Sequence, residues 1–120
     1  MPEFQHPPER YVYHHIVDGP AAGTNGTPAD NLLLIGDRAS GNLKFWFELE
    51  GYNFHICSMS GTARSVSHHA YLYHSGECTL RISFPSKTTA VIDDIGRACE
   101  PESCAMNASI NNTKFVLSAK

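Results

Sequence analysis

The sequence lacks both a surplus of positive charge and a long apolar run. Its 120 residues include nine Lys and Arg against twelve Asp and Glu, which gives a formal net charge of -3 at pH 7. A protein that binds DNA or RNA needs excess Lys and Arg to displace counterions from the phosphates, so the composition argues against a nucleic-acid binder. No run of about 18 apolar residues occurs, so no membrane span is expected. A chain of this length normally builds one hydrophobic core.

The first residues lack the basic and apolar regions of a secretory signal peptide. Residues 1–10 are polar and contain three prolines, so we expect a flexible N-terminal arm or a remnant of cloning there. Residues 11–120 are predicted to form a single β domain. If the protein is exported, its signal peptide is absent from this chain.

Helical periodicity is also missing. No segment repeats apolar residues at i, i+3, i+4 and i+7 over three turns, so we expect at most one short helix. Apolar and polar residues instead alternate with period two over residues 43–50 and 78–84, which is typical of strands with one buried face. Shorter strand candidates lie at 11–17, 31–35, 54–59, 70–73, 89–92 and 114–117. The sequence therefore predicts an all-β fold, an antiparallel sandwich or small barrel of about 7–8 short strands with two disulfides.

Four cysteines, Cys57, Cys78, Cys99 and Cys104, all lie in the second half of the chain. An even number in a short chain favours two disulfides over free thiols, and disulfides imply an oxidising compartment. A four-thiolate zinc site would usually pair its ligands as C-x2-C, a spacing that is absent here. Four cysteines allow three pairings, and the sequence does not choose between them. If residues 77–84 and 89–95 form a hairpin, Cys78 lies near the end that leads to Cys99, and Cys57 is left for Cys104.

No activated nucleophile stands out. A Gly-x-Ser-x-Gly elbow is absent, and Ser58-Met59-Ser60-Gly61 resembles one only superficially. Paired carboxylates such as Glu48 and Glu50 are more simply the solvent-facing side of a strand. We therefore expect a protein that is not an enzyme and that uses no cofactor.

Histidine is unusually frequent, with seven residues that include the pairs His14-His15 and His68-His69. Adjacent residues of a strand point to opposite faces, so neither pair can chelate a metal ion as a unit while it is extended. We expect exposed histidines in loops rather than a zinc site, which would need three or four converging ligands.

Polar and aromatic loops on a rigid β scaffold are the remaining candidates for function, because such a scaffold holds binding loops at low entropic cost. Their composition suits protein interfaces, and the alternative interpretation is that they are ordinary solvated turns. The candidate partner-binding residues are Tyr52, Asn53, Arg64, Ser65, Ser67, His68 and His69.

The order of residues from Leu43 to Phe115 resembles a family of small bacterial envelope domains. The matching pieces are Asn53-Phe54-His55-Ile56-Cys57, Ser60-Gly61-Thr62-Ala63-Arg64, Cys78-Thr79-Leu80-Arg81-Ile82-Ser83-Phe84, and Cys99 followed by Cys104. Residues 61–63 are interpreted as a turn. Such domains occur alongside modules similar to the lysozyme-inhibitor lipoproteins. The resemblance also extends to the periplasmic immunity proteins that neutralise type VI secretion amidase effectors.

The resemblance implies a periplasmic protein that occludes the active site of an enzyme that degrades peptidoglycan. A Ser or His of residues 64–69 would then approach the catalytic Cys–His pair of an amidase. Host lysozyme is the second target expected, because lysozyme is commonly basic and a net charge of -3 gives limited electrostatic steering towards it. A His-rich metal-binding envelope protein is a further alternative. We expect a protein partner, with a homodimer possible through exposed strand edges.

Overall fold

The computed structural model describes residues 3–104, 110 and 113–118. In these residues each of eight strands pairs antiparallel with the next, and the last strand pairs with the first. The predicted all-β fold is confirmed, and it is a closed barrel rather than a sandwich. The strands are β1 Glu9–Val17, β2 Thr27–Ala39, β3 Asn42–Glu50, β4 Ile56–Ser67, β5 Ala70–Ser75, β6 Cys78–Ser86, β7 Thr89–Asp94 and β8 Thr113–Leu117.

Helical structure in the described residues is limited to short segments. The α-helix α1 spans Glu100–Ser103, and single 3₁₀ turns lie at Pro20–Ala22, Tyr52–Phe54 and Ile95–Arg97. No helix within this part of the chain has the length and apolar character needed to cross a membrane.

The up-and-down order gives the barrel two different ends. The β2–β3, β4–β5 and β6–β7 hairpins turn at one end, which we call the mouth end. The opposite end carries the β3–β4 and β5–β6 connections together with residues 95–104, and we call it the disulfide end.

Side chains fill the interior of the barrel. The inward residues of β3, which include Phe45 and Phe47, are fully buried, and so are Leu80 and Ile82 of β6 and Phe115 of β8. The predicted alternation in β3 and β6 is therefore confirmed. Eight-stranded barrels either fill with side chains or hold one small ligand. Because buried side chains fill this interior, a ligand would bind at an end or on the outside.

Two disulfides brace the barrel at the disulfide end. Cys57 of β4 is bonded to Cys104, and Cys78 of β6 is bonded to Cys99. This is the pairing expected if β6 and β7 form a hairpin, which they do. The disulfides are compatible with an oxidising compartment outside the cytoplasm.

A buried carboxylate fixes the segment that carries Cys99. Asp94 is 1% exposed, and its carboxylate accepts hydrogen bonds from the backbone N–H groups of Cys99 at 2.9 Å and Glu100 at 3.1 Å. Burial raises the pKa of Asp94 above its ordinary value, although the two backbone hydrogen bonds act in the opposite direction. This carboxylate holds the chain against the barrel after β7 ends.

The predicted turn at residues 61–63 is wrong, because these residues lie in the middle of β4, where Gly61 pairs with Phe45 of β3. A Cβ atom on Gly61 would lie 2.4 Å from Cε1 of Tyr73. Gly61 therefore provides room for the Tyr73 ring against the strand, and its presence does not signal a change of chain direction. Of the candidate residues that were expected in loops, Ser65 and Ser67 belong to the end of β4, and His68 lies in the β4–β5 turn.

The first two strands are longer than their apolar runs indicate. β1 begins at Glu9 rather than at residue 11, and β2 begins at Thr27 rather than at residue 31. Ahead of β1, the backbone N–H of Gln5 donates to the Asp37 carboxylate at 3.0 and 3.1 Å. Flexibility of the arm that precedes β1 stays a prediction.

Candidate functional site

The β4–β5 hairpin projects a tip at the mouth end of the barrel. The tip comprises residues 64–69, all of which are exposed. Arg64 is the last residue of β4 with a partner in β3, namely Asn42. The backbone N–H of Ser65 donates to the carbonyl of Gly41 at 2.7 Å. A register shift between Ser65 and Ser67 separates the tip from the regular ladder, and Val66 is 50% exposed there.

A groove of about 550 Å³ lies beside this tip, and we call it the mouth groove. Its floor consists of three aromatic rings from three strands. The rings of Tyr71 and Phe84 meet edge to face with their centroids 5.9 Å apart, and Tyr11 is tilted against Phe84 at 6.0 Å. Such tilted and edge-to-face pairs are favourable geometries for aromatic rings. The floor is therefore a rigid apolar surface.

Arg38 lies over this floor. Its guanidinium carbon is 5.0 Å from the centroid of the Phe84 ring and 5.9 Å from that of the Tyr71 ring, within the range of cation–π attraction. Nη2 donates to the Glu9 carboxylate at 3.0 Å, and Nη1 donates to the Tyr71 hydroxyl at 3.4 Å. The guanidinium is thus oriented from below by rings and from the side by a carboxylate.

A β-bulge explains how Arg38 reaches the mouth groove. The pairing of β2 with β3 shifts register between Gly36 and Ala39, and Asp37 has a positive φ of 48°. Bulges at the rims of barrels redirect side chains in this way, because one extra residue reverses the alternation of faces. Without the bulge, the period-two pattern of β2 would place Arg38 on the outer face.

The charges and rings of the mouth groove shift one another's pKa values. Burial raises the pKa of the Tyr11 hydroxyl, the nearby Glu9 carboxylate raises it further, and Arg38 acts in the opposite direction. For Arg38, burial alone would lower the pKa, but the hydrogen bond and charge of Glu9, with Tyr71, raise it overall. Arg38 therefore stays cationic and Tyr11 stays neutral across the physiological range.

The hairpin tip and the mouth groove form one continuous surface. His68 and His69 line the groove, and the carbonyl of His69 accepts a hydrogen bond of 2.9 Å from the backbone N–H of Phe84. The two imidazole rings lie 4.1 Å apart between centroids. Lys87, from the β6–β7 turn, completes the groove rim.

The other predicted residues lie elsewhere. Tyr52 and Asn53 follow β3 at the disulfide end, whereas the tip lies at the opposite end of β4. Because β4 is an extended strand of eleven residue steps, its two ends lie about 35 Å apart. Asn53 has a structural contact there, because its Oδ1 accepts a 2.6 Å hydrogen bond from the backbone N–H of Ala21. Tyr52 is 51% exposed. The structure therefore brings together the five candidates from residues 64–69 and separates them from Tyr52 and Asn53.

Sequence reasoning missed the floor and most of the rim of the mouth groove. Those residues are Glu9, Tyr11, Arg38, Tyr71, Phe84 and Lys87. Tyr11, Tyr71 and Phe84 belong to predicted strands, but only closure of the barrel brings Tyr11 of β1 against Phe84 of β6. Glu9 and Arg38 lie outside the predicted strands, in the longer β1 and β2 that the structure shows. Tyr71 and Phe84 lie in strands that the sequence predicts, so a signal for these two rings was present. No sequence pattern indicated the bulge that redirects Arg38.

The histidines do not gather into a metal site. Three of them contact a side chain on the adjacent strand: His14 binds Asp30, His15 binds Asn31 at 2.9 Å, and His74 binds Thr79 at 2.7 Å. In residues 3–104, 110 and 113–118, no group of three or more His, Cys, Asp or Glu side chains could hold a metal ion.

No protein-family model, curated protein or solved structure matches this chain. A barrel fold alone does not specify a function, which depends on the side chains that the barrel presents.

Proposed function

We propose that this chain is a periplasmic immunity or inhibitor protein that binds and occludes the active site of a peptidoglycan-degrading enzyme, with a type VI secretion amidase as the target. The observation that carries the proposal is the hairpin tip, six consecutive exposed residues held on a barrel that two disulfides brace. An inhibitor of this kind needs no catalytic group of its own, only a protruding element that fills a cleft.

The chemistry of the tip suits a cleft that contains polar catalytic groups. Val66, which is half exposed, lies between Ser65 and Ser67. An apolar side chain flanked by hydroxyl groups supplies an anchor and adaptable hydrogen bonds in one segment. The backbone of Ser65 is hydrogen-bonded to Gly41, and that of His69 to Phe84. These bonds limit the freedom of the tip, so little conformational entropy is lost when a partner binds.

The local charge favours an amidase over lysozyme. Arg38, Arg64 and Lys87 lie around the groove and the tip, and Glu9 is paired with Arg38. Asp37 at the same end lies 3.8 Å from Lys44, whereas the chain as a whole has a net charge of -3. A cationic docking end repels a basic enzyme and attracts one with acidic groups around its cleft. Periplasmic location is part of the same proposal, and the two disulfides support it.

The test mixes the purified chain with a type VI secretion amidase and, separately, with lysozyme. We expect a stable complex with the amidase on size-exclusion chromatography and loss of its peptidoglycan hydrolysis. Val66→Asp should weaken the complex by about tenfold or more, because a charge would be buried without a partner. Glu77→Ala, in the exposed β5–β6 turn at the disulfide end, is the matched control and should bind like the parent.

Three outcomes distinguish the alternatives. The absence of a complex with either enzyme would overturn the proposal. A complex with lysozyme alone would change the target and keep the inhibitory role. An amidase complex that tolerates Val66→Asp but is weakened by Glu77→Ala would place the interface at the disulfide end.

A further inference from the structure

We propose that the mouth groove is a binding site for a carboxylate carried on an aromatic or aliphatic body, with Arg38 as the group that pairs with the carboxylate. This inference is independent of the inhibitory role, because a carboxylic acid can occupy the groove whether or not the tip enters an enzyme. The ligand class follows from the size of the groove, the aromatic rings of its floor and the positive charge at its rim.

The groove has the dimensions and position of a ligand site. Its volume of about 550 Å³ lies within the range of roughly 300–1,000 Å³ that is usual for small-molecule sites, and the mouths of β-barrels are preferred positions for such sites. Deeper entry is blocked because Phe45 and Phe115 are fully buried in the packed interior. A ligand would therefore lie beside the Arg38 guanidinium, with its carboxylate at that group and its body against the exposed parts of the Tyr71 and Phe84 rings.

Arg38 keeps donors for a ligand. Its two described hydrogen bonds, to Glu9 and Tyr71, use two of the five guanidinium N–H groups. The side chain remains 41% exposed, so the other donors are accessible from the groove. Because the Phe84 ring and Glu9 already fix its plane, the guanidinium would lose little freedom on pairing with a carboxylate, and its fork matches that group in a bidentate way.

The rim complements an anion. Lys87 adds a second cation, and the rings of His68 and His69 add N–H donors. Glu9 is the acid that lines the groove, and it is already paired with Arg38. A small inorganic anion would leave the aromatic floor uncovered, whereas a ligand with an apolar body would cover it and remove that surface from water. The combination favours a hydrophobic carboxylic acid.

Two sources could supply this chemistry, a free small acid or the C-terminal carboxylate of a protein. The probe for the test is N-acetyl-L-phenylalanine, which joins a carboxylate to an aromatic ring. Its neutral counterpart, N-acetyl-L-phenylalanine amide, has the same body without the charge. Binding to the full chain is measured at pH 7 and low salt by calorimetry and by amide chemical shifts.

We expect the acid to bind and the amide to bind about tenfold more weakly or not at all. The amide signals of His69 and Phe84 should move on titration. Arg38→Gln should weaken binding of the acid by about tenfold, and Arg38→Lys, which keeps the charge without the fork, by less. Arg81→Gln is the matched control, since Arg81 is also exposed and paired with a carboxylate, that of Asp93 at 2.8 Å, but lies outside the groove.

The proposal is overturned if the acid does not bind, if the amide binds equally well, or if Arg81→Gln weakens binding as much as Arg38→Gln. Arg38→Lys keeps the test decisive should Arg38→Gln fold poorly. A tetrapeptide ending in phenylalanine with a free carboxylate distinguishes the two sources. Tighter binding of this peptide than of the single residue supports a protein terminus as the ligand, and equal binding supports a free acid.

Discussion

Gly61 offers a sharp test of how the barrel is packed. It pairs with Phe45 in the middle of the β3–β4 ladder, and the ring of Tyr73 covers it from the inside. A methyl group at this position would lie 2.4 Å from Cε1 and 2.9 Å from Cδ1 of Tyr73. The ring cannot move freely, because it packs edge-on against Phe45 at a centroid distance of 5.3 Å.

The expected cost of Gly61→Ala follows from these distances. Carbon atoms in contact normally lie about 3.5–4.0 Å apart, so the ring or the strand must shift by about 1 Å. Overpacking of this kind destabilises a core by about 1–3 kcal/mol. Replacing glycine also restricts the unfolded chain, which returns about 0.4–1 kcal/mol. We therefore expect the free energy of unfolding to fall by about 1–2 kcal/mol.

Denaturant unfolding of the oxidised protein measures this change, and Tyr73→Ala identifies its cause. In the Tyr73→Ala background the space above Gly61 is open, so Gly61→Ala should be neutral or slightly stabilising, and the double-mutant cycle should show coupling. Thr62→Ala, at the exposed neighbouring position, should change stability by less than about 0.5 kcal/mol. An equal loss in both backgrounds would refute the close contact between the Tyr73 ring and Gly61.

Two further predictions concern the disulfide end. Alanine at both Cys57 and Cys104, or at both Cys78 and Cys99, should lower the free energy of unfolding by about 3–4 kcal/mol, because the disulfides close loops of 47 and 21 residues. Losses below about 1 kcal/mol for both pairs would contradict this prediction. Burial raises the pKa of Asp94 in the folded state above 3.8. The stabilisation that comes from this raised pKa is therefore fully present below pH 3.8 and is lost as the pH rises through the pKa that Asp94 has in the folded state. The stability of the parent relative to Asp94→Asn should therefore increase on acidification, as followed by denaturant unfolding between about pH 3 and 7; a difference that is constant with pH would contradict the raised pKa.

The elements predicted correctly from the sequence share one property, a clear difference between their two faces. β3 and β6 alternate strictly, so period two fixed both their type and their buried residues. The β6–β7 hairpin then placed Cys78 near Cys99, which left one partner for Cys57. Local patterning was therefore sufficient for these strands and for the disulfide pairing that follows from their hairpin.

The features that escaped prediction depend on pairing between strands rather than on local composition. Residues 27–30 have turn-like composition, yet they lie in β2 because β1 supplies a full ladder of partners, such as Val17 for Thr27. Closure of the barrel rests on the pairing of Tyr11 with Leu117 and of Val12 with Val116. No local sequence pattern indicates the pairing of β1 with β8. The mouth groove depends on this pairing, because Glu9 and Tyr11 of β1 line it.

The two disulfides and the proposed binding surface lie at opposite ends of this barrel. The disulfide end contains both bridges and the buried Asp94, so changes there act mainly on folding. At the mouth end, the exposed Arg38–Glu9 pair contributes little to folding, because solvent screens both charges. Substitution of Arg38 should therefore separate ligand binding from stability, which no substitution among the bridged cysteines can do.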